Sequence, residues 1–507
     1  MNSARANSDI ASHLQELSSE LDVSKDSIAI ILAAGHGKRI RSKKSKMLHE
    51  IWGKSTVERV SQAAAQGLKC QNQIIVVGIK AKEVAEALNR STHRVFSYQE
   101  QQHGTGDAVR TALNVIPNGE FSGHIYIFPG DIGLMDAKVV QMFKEAFERY
   151  ESDMMVLTGT YEGDPNDNYY GRILRVPQKD ASGASSGEDS GKVIEIKEQK
   201  DIKALRPRES YHVDYRGNKY SFTRDDLLNI REFNTGVFAF RSDKLQKHIH
   251  HLKTDNVQKE LYVTDLISIF NQNGLSVKAF SAPETQTVLG FNTKSVLKEM
   301  QEYAREKVYA ALKDKITIED RHDFFVAEEV VDWILENAKD SRRLDIVVGK
   351  GAHIGKQVEL NKGVQIQRQA RLEGKILIGA GVRVEDNVRF LASENETIRI
   401  GANTLIGAGN HLLGNIELGE HCRIESGVRI EGSVALPTTI GDNVVIKGLT
   451  RIHGCQIEGD VEVEHSVLRG KHIKRIVNER GQVQPVRYYL PNPEGLASIQ
   501  DISDQEL

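Results

Sequence analysis

At 507 residues the chain is longer than one hydrophobic core usually grows, so two domains with separate cores are expected. Its 39% hydrophobic and 27% charged residues, with a net charge of -3, are those of an ordinary globular protein, which excludes a global pull toward nucleic acid or a membrane surface. Any anion it binds must be held locally.

No apolar run approaches the roughly 18 residues of a membrane span. The first residues also lack a basic segment leading into an apolar stretch and a small-residue cleavage site, so a cytoplasmic protein without membrane insertion is expected. Cys70, Cys422 and Cys455 are far apart and show no paired metal-ligand spacing, which points to reduced thiols rather than disulfides or zinc.

Residues 1–25 carry Ile10, Leu14, Leu17 and Leu21 at helical spacing, predicting an amphipathic helix laid on the body or on another subunit. Across 26–294, β-rich runs at 28–32, 73–77, 124–128 and 154–157 alternate with helical stretches, which predicts an α/β domain built on a parallel sheet with helices on both faces. Within it, 178–191 reads as a flexible hairpin tip and 202–231 as a polar, charged insertion, neither of them core. Residues 295–343 read as a helical linker, with helices at 295–313 and 325–338.

The second half repeats every six residues. Val348, Ile354, Leu360, Ile366, Leu372, Ile378, Val384 and Phe390 share that interval, which resumes after 392–397 at Ile400, Ile406 and Leu412 and continues through Ile452 with one shift of register. Such hexapeptide repetition predicts a parallel β-helix over 344–474, its stacked rungs burying one ladder of aliphatic side chains. Residues 475–507, ending in acidic Asp501, Asp504 and Glu506, read as a cap and tail.

The chemistry begins where the run 28–32 opens into Ala33-Ala34-Gly35-His36-Gly37-Lys38-Arg39. A glycine loop after a buried strand lets backbone N–H groups approach a phosphate, and a simple tight turn is the plain alternative. The lysine and serine of a P-loop are missing, which argues against that ATPase class. Arg39 and Lys46 add one forked and one point-like cation, close enough in sequence to serve the same triphosphate.

Leu32 through His49 (LAAGHGKRIRSKKSKMLH) resembles the signature of sugar-nucleotide pyrophosphorylases, and specifically of the bifunctional bacterial N-acetylglucosamine-1-phosphate uridyltransferase family. Segments 99–106, 129–131, 170–173, 198–201, 234–236, 261–265 and 290–292 continue the resemblance in order. It implies a Rossmann-like nucleotide-diphospho-sugar transferase domain followed by a left-handed parallel β-helix that assembles as a homotrimer. It also implies UTP and a sugar-1-phosphate as substrates, Mg2+ as cofactor, and UDP-N-acetylglucosamine and pyrophosphate as products, for cell-envelope precursor synthesis.

By the same resemblance, Leu32, Ala34, Gly35, Gly37, Gln99, Gln102, Gly104 and Thr105 would hold the nucleotide, and Gly171, Glu198 and Asn234 the sugar. Side-chain amides of 99–105 can pair with a uracil edge while Gly104 lets the backbone approach the base; a polar surface loop is the alternative. Asp131 lies just past a predicted strand, where open parallel sheets place their ligands, and could hold magnesium with the Asn292 amide oxygen. A helix N-cap is the other reading of Asp131. Arg39 would neutralise the leaving pyrophosphate and Lys46 the charge near the α-phosphate.

Ser45 and Gly133 stand where the family commonly has proline, which is expected to loosen the loop. The insertion at 202–231 separates two sugar-site motifs, so another sugar-1-phosphate is an alternative substrate. Residues 408–415 imperfectly resemble the family's acetyltransferase segment, with His411 as the possible general base. The family's Cys-Asn-Tyr-Asp-Gly loop and paired phosphate-binding lysines are absent from the sequence, so acetylation of glucosamine-1-phosphate by acetyl-CoA is the rival rather than the primary expectation. A noncatalytic scaffold is the third reading, and joint retention of Arg39, Lys46, Asp131 and Asn292 argues against it.

Overall fold

Six of the seven residues of β1 (Ser27–Ala33) are buried, and this aliphatic run forms the middle of the first sheet. The computed structural model describes residues 2–35, 37–117, 121–206, 209–339 and 343–488, with the side chains of 2–7 and 38 left aside. The acidic residues expected in the tail, Asp501, Asp504 and Glu506, lie outside the described residues. Two units result, Met1–Gln301 and Glu302–Leu507. Cys70, Cys422 and Cys455 are buried, free thiols.

Ahead of β1 lies α1 (Asn2–Leu17). After it come a short antiparallel pair, β2 (Glu50–Ile51) and β3 (Lys54–Ser55), and then α2 (Thr56–Leu68), capped by Ser55 accepting from the Glu58 N–H. Strands β4 (Gln73–Val77), β5 (Arg94–Tyr98), β6 (His124–Pro129) and β7 (Met154–Thr160) follow, interleaved with α3 (Ala81–Leu88), α4 (Thr105–Leu113) and α5 (Ala137–Arg149). Next are the hairpin β8 (Arg172–Arg175) and β9 (Val193–Lys197), then α6 (Gln199–Ala204), β10 (Ser210–Tyr215), β11 (Asn218–Thr223) and α7 (Arg224–Asn229). The unit closes with β12 (Glu232–Arg241), α8 (Ser242–His248), α9 (Leu266–Gln272) and β13 (Val277–Ser281).

The sheet runs β13-β7-β12-β6-β1-β4-β5. Strand β12 pairs antiparallel with both β6 and β7, so the all-parallel expectation needs correction. A parallel neighbour needs a crossover back to the starting edge of the sheet. Here the chain leaves β7, makes the excursion at 161–231, and re-enters directly as β12 from the end it left. Helices α1, α2, α3 and α5 bury Leu14, Val60, Val84 and Phe143 on one face, while α4, α8 and α9 bury Val109, Leu245 and Phe270 on the other.

The N-terminal helix is shorter than the hydrophobic spacing suggested, and it lies against its own unit. The Ser18 hydroxyl donates to Leu14 O and accepts from Phe96 N, while Ser19 N donates to Arg94 O, which draws the chain out along β5. Leu21 thereby reaches the opposite core from Leu14.

The insertion also differs from expectation. Strands β10 and β11 pair antiparallel, and with α6 and α7 they bury Ile202, Val213, Tyr220 and Leu227 against Leu174, Val176 and Ile194. Its polar composition conceals an apolar-in, polar-out alternation that builds a third small core.

The second unit is a three-sided left-handed parallel β-helix with sheets of eight, eight and seven strands. The predicted residues Val348, Ile354, Ile366, Leu372 and Phe390 are fully buried, but not in one ladder: Val348 and Ile366 stack in one sheet and Ile354, Leu372 and Phe390 in the next, so successive six-residue positions fall on successive sides of the coil. Coiling begins earlier than the repeat count did: β14 (Thr317–Ile318) pairs with Val347–Val348 and β15 (Phe325–Val326) with His353–Ile354. These residues belong to the β-helix rather than to a helical linker, and the predicted helix at 325–338 is confined to α11 (Glu328–Asn337). In the first coil α11 takes the place in the chain of a third strand, which breaks the six-residue interval. The long helix α10 (Lys294–Leu312) matches the predicted one. At the far end Val486 N donates to Glu462 O and Val467 N to Tyr488 O, so residues 486–488 cover the last coil's open edge. Among the described residues no helix is long and apolar enough to cross a membrane.

Candidate active site

A cavity of about 1050 Å³ opens beyond the carboxyl ends of β1 and β6 in the first unit. Its walls include Leu32, Ala34, Gly35, Gly37, Arg39, Lys46, Gln99, Gln102, Gly104, Thr105, Asp131, Glu198, Asn234 and Asn292. Gly171 is the one predicted residue of this unit that does not line it.

Three of those side chains meet directly. Lys46 Nζ donates to Asp131 Oδ2 and, at 3.0 Å, to Asn292 Oδ1. Lys46 is buried and its ammonium lies 5.3 Å from the centre of the Phe291 ring. Gly37, at φ 58°, allows this arrangement, because a Cβ there would stand 2.8 Å from Lys46 Cβ. Asp131 does not cap the following helix: Asp136 does, accepting from Val139 N at 3.0 Å. Arg39 is exposed on the cavity wall, its charge within reach of the Tyr169 hydroxyl, which burial pushes above its usual range.

Both departures from proline sit in closely defined local settings. Ser45 is buried with φ -56° and ψ 142°, angles that proline itself adopts. Gly133 stands where a side chain would not fit, since a Cβ there would lie 2.8 Å from Thr56 Cγ2 and 3.0 Å from Ile51 Cδ1.

Segment 99–105 is not a free surface loop. Gln99 Nε2 donates to Gly104 O at 3.2 Å and to Asp107 Oδ2 at 2.8 Å, and Gln102 Nε2 donates to Gln99 O at 3.2 Å. Both Gln99 N–H groups are thus taken inside the protein, which leaves its side-chain oxygen as the acceptor at the cavity wall. Gly104 has φ 111°, and a Cβ there would lie 2.5 Å from Leu261 O. Thr105 Oγ1 accepts from Val263 N at 3.1 Å.

On the opposite wall, Asn234 N donates to Gly171 O at 2.8 Å, and Asn234 Oδ1 accepts from Gly236 N at 2.8 Å. Gly171 backs Glu198: a Cβ there would stand 2.8 Å from Glu198 Oε1. Burial, and then the charges of Asp201 and Asp265, push the Glu198 carboxyl up to about 7.

Met47, Lys200, Gln258, Glu260 and Tyr262, to which the sequence motifs assigned no individual role, also line the cavity. Lys200 Nζ donates to Gln258 Oε1, and Gln258 Nε2 donates to the Tyr262 hydroxyl at 2.6 Å. Tyr262 lies in a motif singled out above, and the packing of Leu261 and Val263 on Gly104 and Thr105 is the reason that motif belongs to the site.

In the second unit His411 is half-buried and stands between Arg389 and Arg429 in its ladder. A groove of about 700 Å³ runs along a different sheet of that unit, past Leu377, Arg399, Glu417 and Thr439, and His411 is not among its walls.

Residues 29–196 match the MobA-like NTP transferase domain, and residues 397–432 match the bacterial transferase hexapeptide (six repeats). The chain is 30% identical over 447 residues to "Bifunctional protein GlmU" of Clostridium tetani (strain Massachusetts / E88), covering 82% of this chain and 88% of that protein. Against the protein of the same name from Lactobacillus helveticus (strain DPC 4571) identity is 29% over 446 residues, covering 82% and 86%. The one from Corynebacterium aurimucosum (strain ATCC 700975 / DSM 44827 / CIP 107346 / CN-1) is 27% identical over 525 residues, covering 93% and 96%.

Proposed function

The chain belongs to the family of bifunctional GlmU proteins, and from that premise we propose that its first unit transfers a uridylyl group from UTP to N-acetylglucosamine-1-phosphate. A phosphate oxygen of the sugar phosphate bonds to the α-phosphorus of UTP, the bond from that phosphorus to the bridging oxygen breaks, and pyrophosphate leaves. No protein nucleophile is needed, so the chain's work is orientation and charge compensation. The observation that carries this reading is the meeting of Lys46, Asp131 and Asn292 in a cavity whose walls also hold Arg39, the 99–105 segment and the Glu198–Asn234 pair.

In this reading Lys46 compensates charge near the α-phosphate and Arg39 the charge of the departing pyrophosphate. The main-chain N–H groups of the glycine loop and the Gln99 carbonyl orient the nucleotide, while Glu198 and Asn234 orient the sugar. Asp131 and Asn292 turn two oxygens toward one ammonium, so their donor set suits a hard cation, and we assign them to Mg2+. When bound, Mg2+ would supply further charge neutralisation to the phosphates.

We also propose trimerisation through the β-helix and residence in the cytoplasm, both by analogy with the family. We do not propose acetyl transfer, because the Cys-Asn-Tyr-Asp-Gly loop and the paired phosphate-binding lysines expected for it are absent from the sequence. Pyrophosphate release from UTP, assayed with glucose-, galactose- and N-acetylated hexose-1-phosphates, tests the proposal. Release with N-acetylglucosamine-1-phosphate is expected, and tight UTP binding without release would overturn it.

A further inference from the structure

The inserted hairpin β10–β11 reaches the strand that leads to the sugar wall through one polar contact. The Tyr211 hydroxyl, on β10, donates to Glu195 Oε1 at 2.5 Å. Lys197 closes the group: its Nζ lies 4.0 Å from the centre of the Tyr211 ring and 3.9 Å from Glu195 Oε1. Glu195 and Lys197 both belong to β9, which runs straight into Glu198.

The insertion also holds the chain just after Glu198. Ile202 of α6 is buried with Val213, Tyr220 and Leu227. The same short helix carries Asp201, which accepts from Val257 N at 3.1 Å, and Lys200, which donates to Gln258 on the cavity wall. Segment 195–202 is thus gripped before and after the carboxylate that faces the cavity. Burial pushes the Glu195 carboxyl up, and the Tyr211 hydrogen bond is the strongest influence opposing it, ahead of Lys197. Tyr211 and Lys197 meet the same Glu195 carboxyl and each other, so the cluster is mutually dependent.

We propose that Tyr211 is a positioning residue for the sugar half of the reaction: through Glu195 and Lys197 the inserted hairpin fixes the segment that presents Glu198 to the sugar. Tyr211 touches no substrate itself. The inference rests on the nucleotidyltransferase reading and extends it to an element outside the family's shared motifs.

Tyr211→Phe removes the hydroxyl and leaves the ring under Lys197. With UTP and N-acetylglucosamine-1-phosphate varied separately, the KM for the sugar phosphate is expected to rise roughly tenfold while the KM for UTP stays within about twofold. An unchanged sugar KM, or equal losses for both substrates, would overturn the inference. In a Glu195→Gln background, Tyr211→Phe is expected to add little, because the carboxyl group that Tyr211 and Lys197 share is already gone. A full further loss there would show that Tyr211 acts by another route and would equally overturn it. Wild-type protein that releases no pyrophosphate would sink the enzymatic reading together with this inference, whereas an active wild type with an unaltered Tyr211→Phe variant sinks the inference alone.

Discussion

Lys46 Nζ lies 3.0 Å from Asn292 Oδ1, two side chains 246 positions apart in the chain, and it bonds Asp131 from the same point. The ammonium therefore stands on the two oxygens that we propose for the metal, and that proposal makes the two cations competitors for them. Lys46→Ala is expected to lower turnover by about 100- to 1000-fold. The same change should tighten binding of Mn2+, used as a probe for Mg2+, to the nucleotide-free protein, because an internal competitor is gone. Calorimetric titration of Mn2+ into both proteins reads this directly, and weaker binding in the variant would refute the competition.

Arg39 separates the two roles. It lines the cavity, is exposed, and is not bonded to Asp131 or Asn292. Arg39→Ala is expected to lose turnover by about 100-fold or more with Mn2+ affinity unchanged. Arg39→Lys should recover only part of the loss, since a point charge does not reproduce the planar fork. Full turnover in Arg39→Ala would remove this residue from the mechanism.

Gly104 is a test of the cavity wall that we propose for the nucleotide. At φ 111°, with Leu261 O 2.5 Å from where a Cβ would sit, Gly104→Ala must move the loop that Gln99 holds by its amide. The KM for UTP is expected to rise about tenfold or more, with a smaller change in the KM for the sugar phosphate. Steady-state kinetics with each substrate varied in turn checks the asymmetry, and an equal rise in both constants would refute it.

Much of this was legible in the sequence for reasons that can be named. The run 28–33 is continuous and aliphatic because both faces of that strand are covered, and the six-residue repeat survives because each side of every coil buries one inward side chain. Contacts set by tertiary closure left no local trace: nothing near Lys46 announces that it will bridge Asp131 and Asn292. The reversed strand β12 was hidden because an antiparallel return and a crossover can follow similar runs. The insertion was misread for a different reason. His212, Asp214, Lys219 and Ser221 raise its average polarity, while Val213, Tyr215, Tyr220 and Phe222 alternate with them on the inward side. Period, not composition, carried the signal there.

The last prediction concerns pH. Burial, with Asp201 and Asp265 nearby, pushes the Glu198 carboxyl up to about 7, whereas Arg172 and Lys200 pull it the other way. Below that value the group is mostly neutral and has a proton to donate; above it the carboxylate is a stronger acceptor for sugar hydroxyls. The kcat/KM for the sugar phosphate is therefore expected to climb as pH rises through about 7 and then level off. Glu198→Gln fixes a neutral amide at that place, so it should lower the plateau and erase the climb. If the variant keeps the wild-type rise near neutral pH, another group controls it and Glu198 is not the acceptor for the sugar.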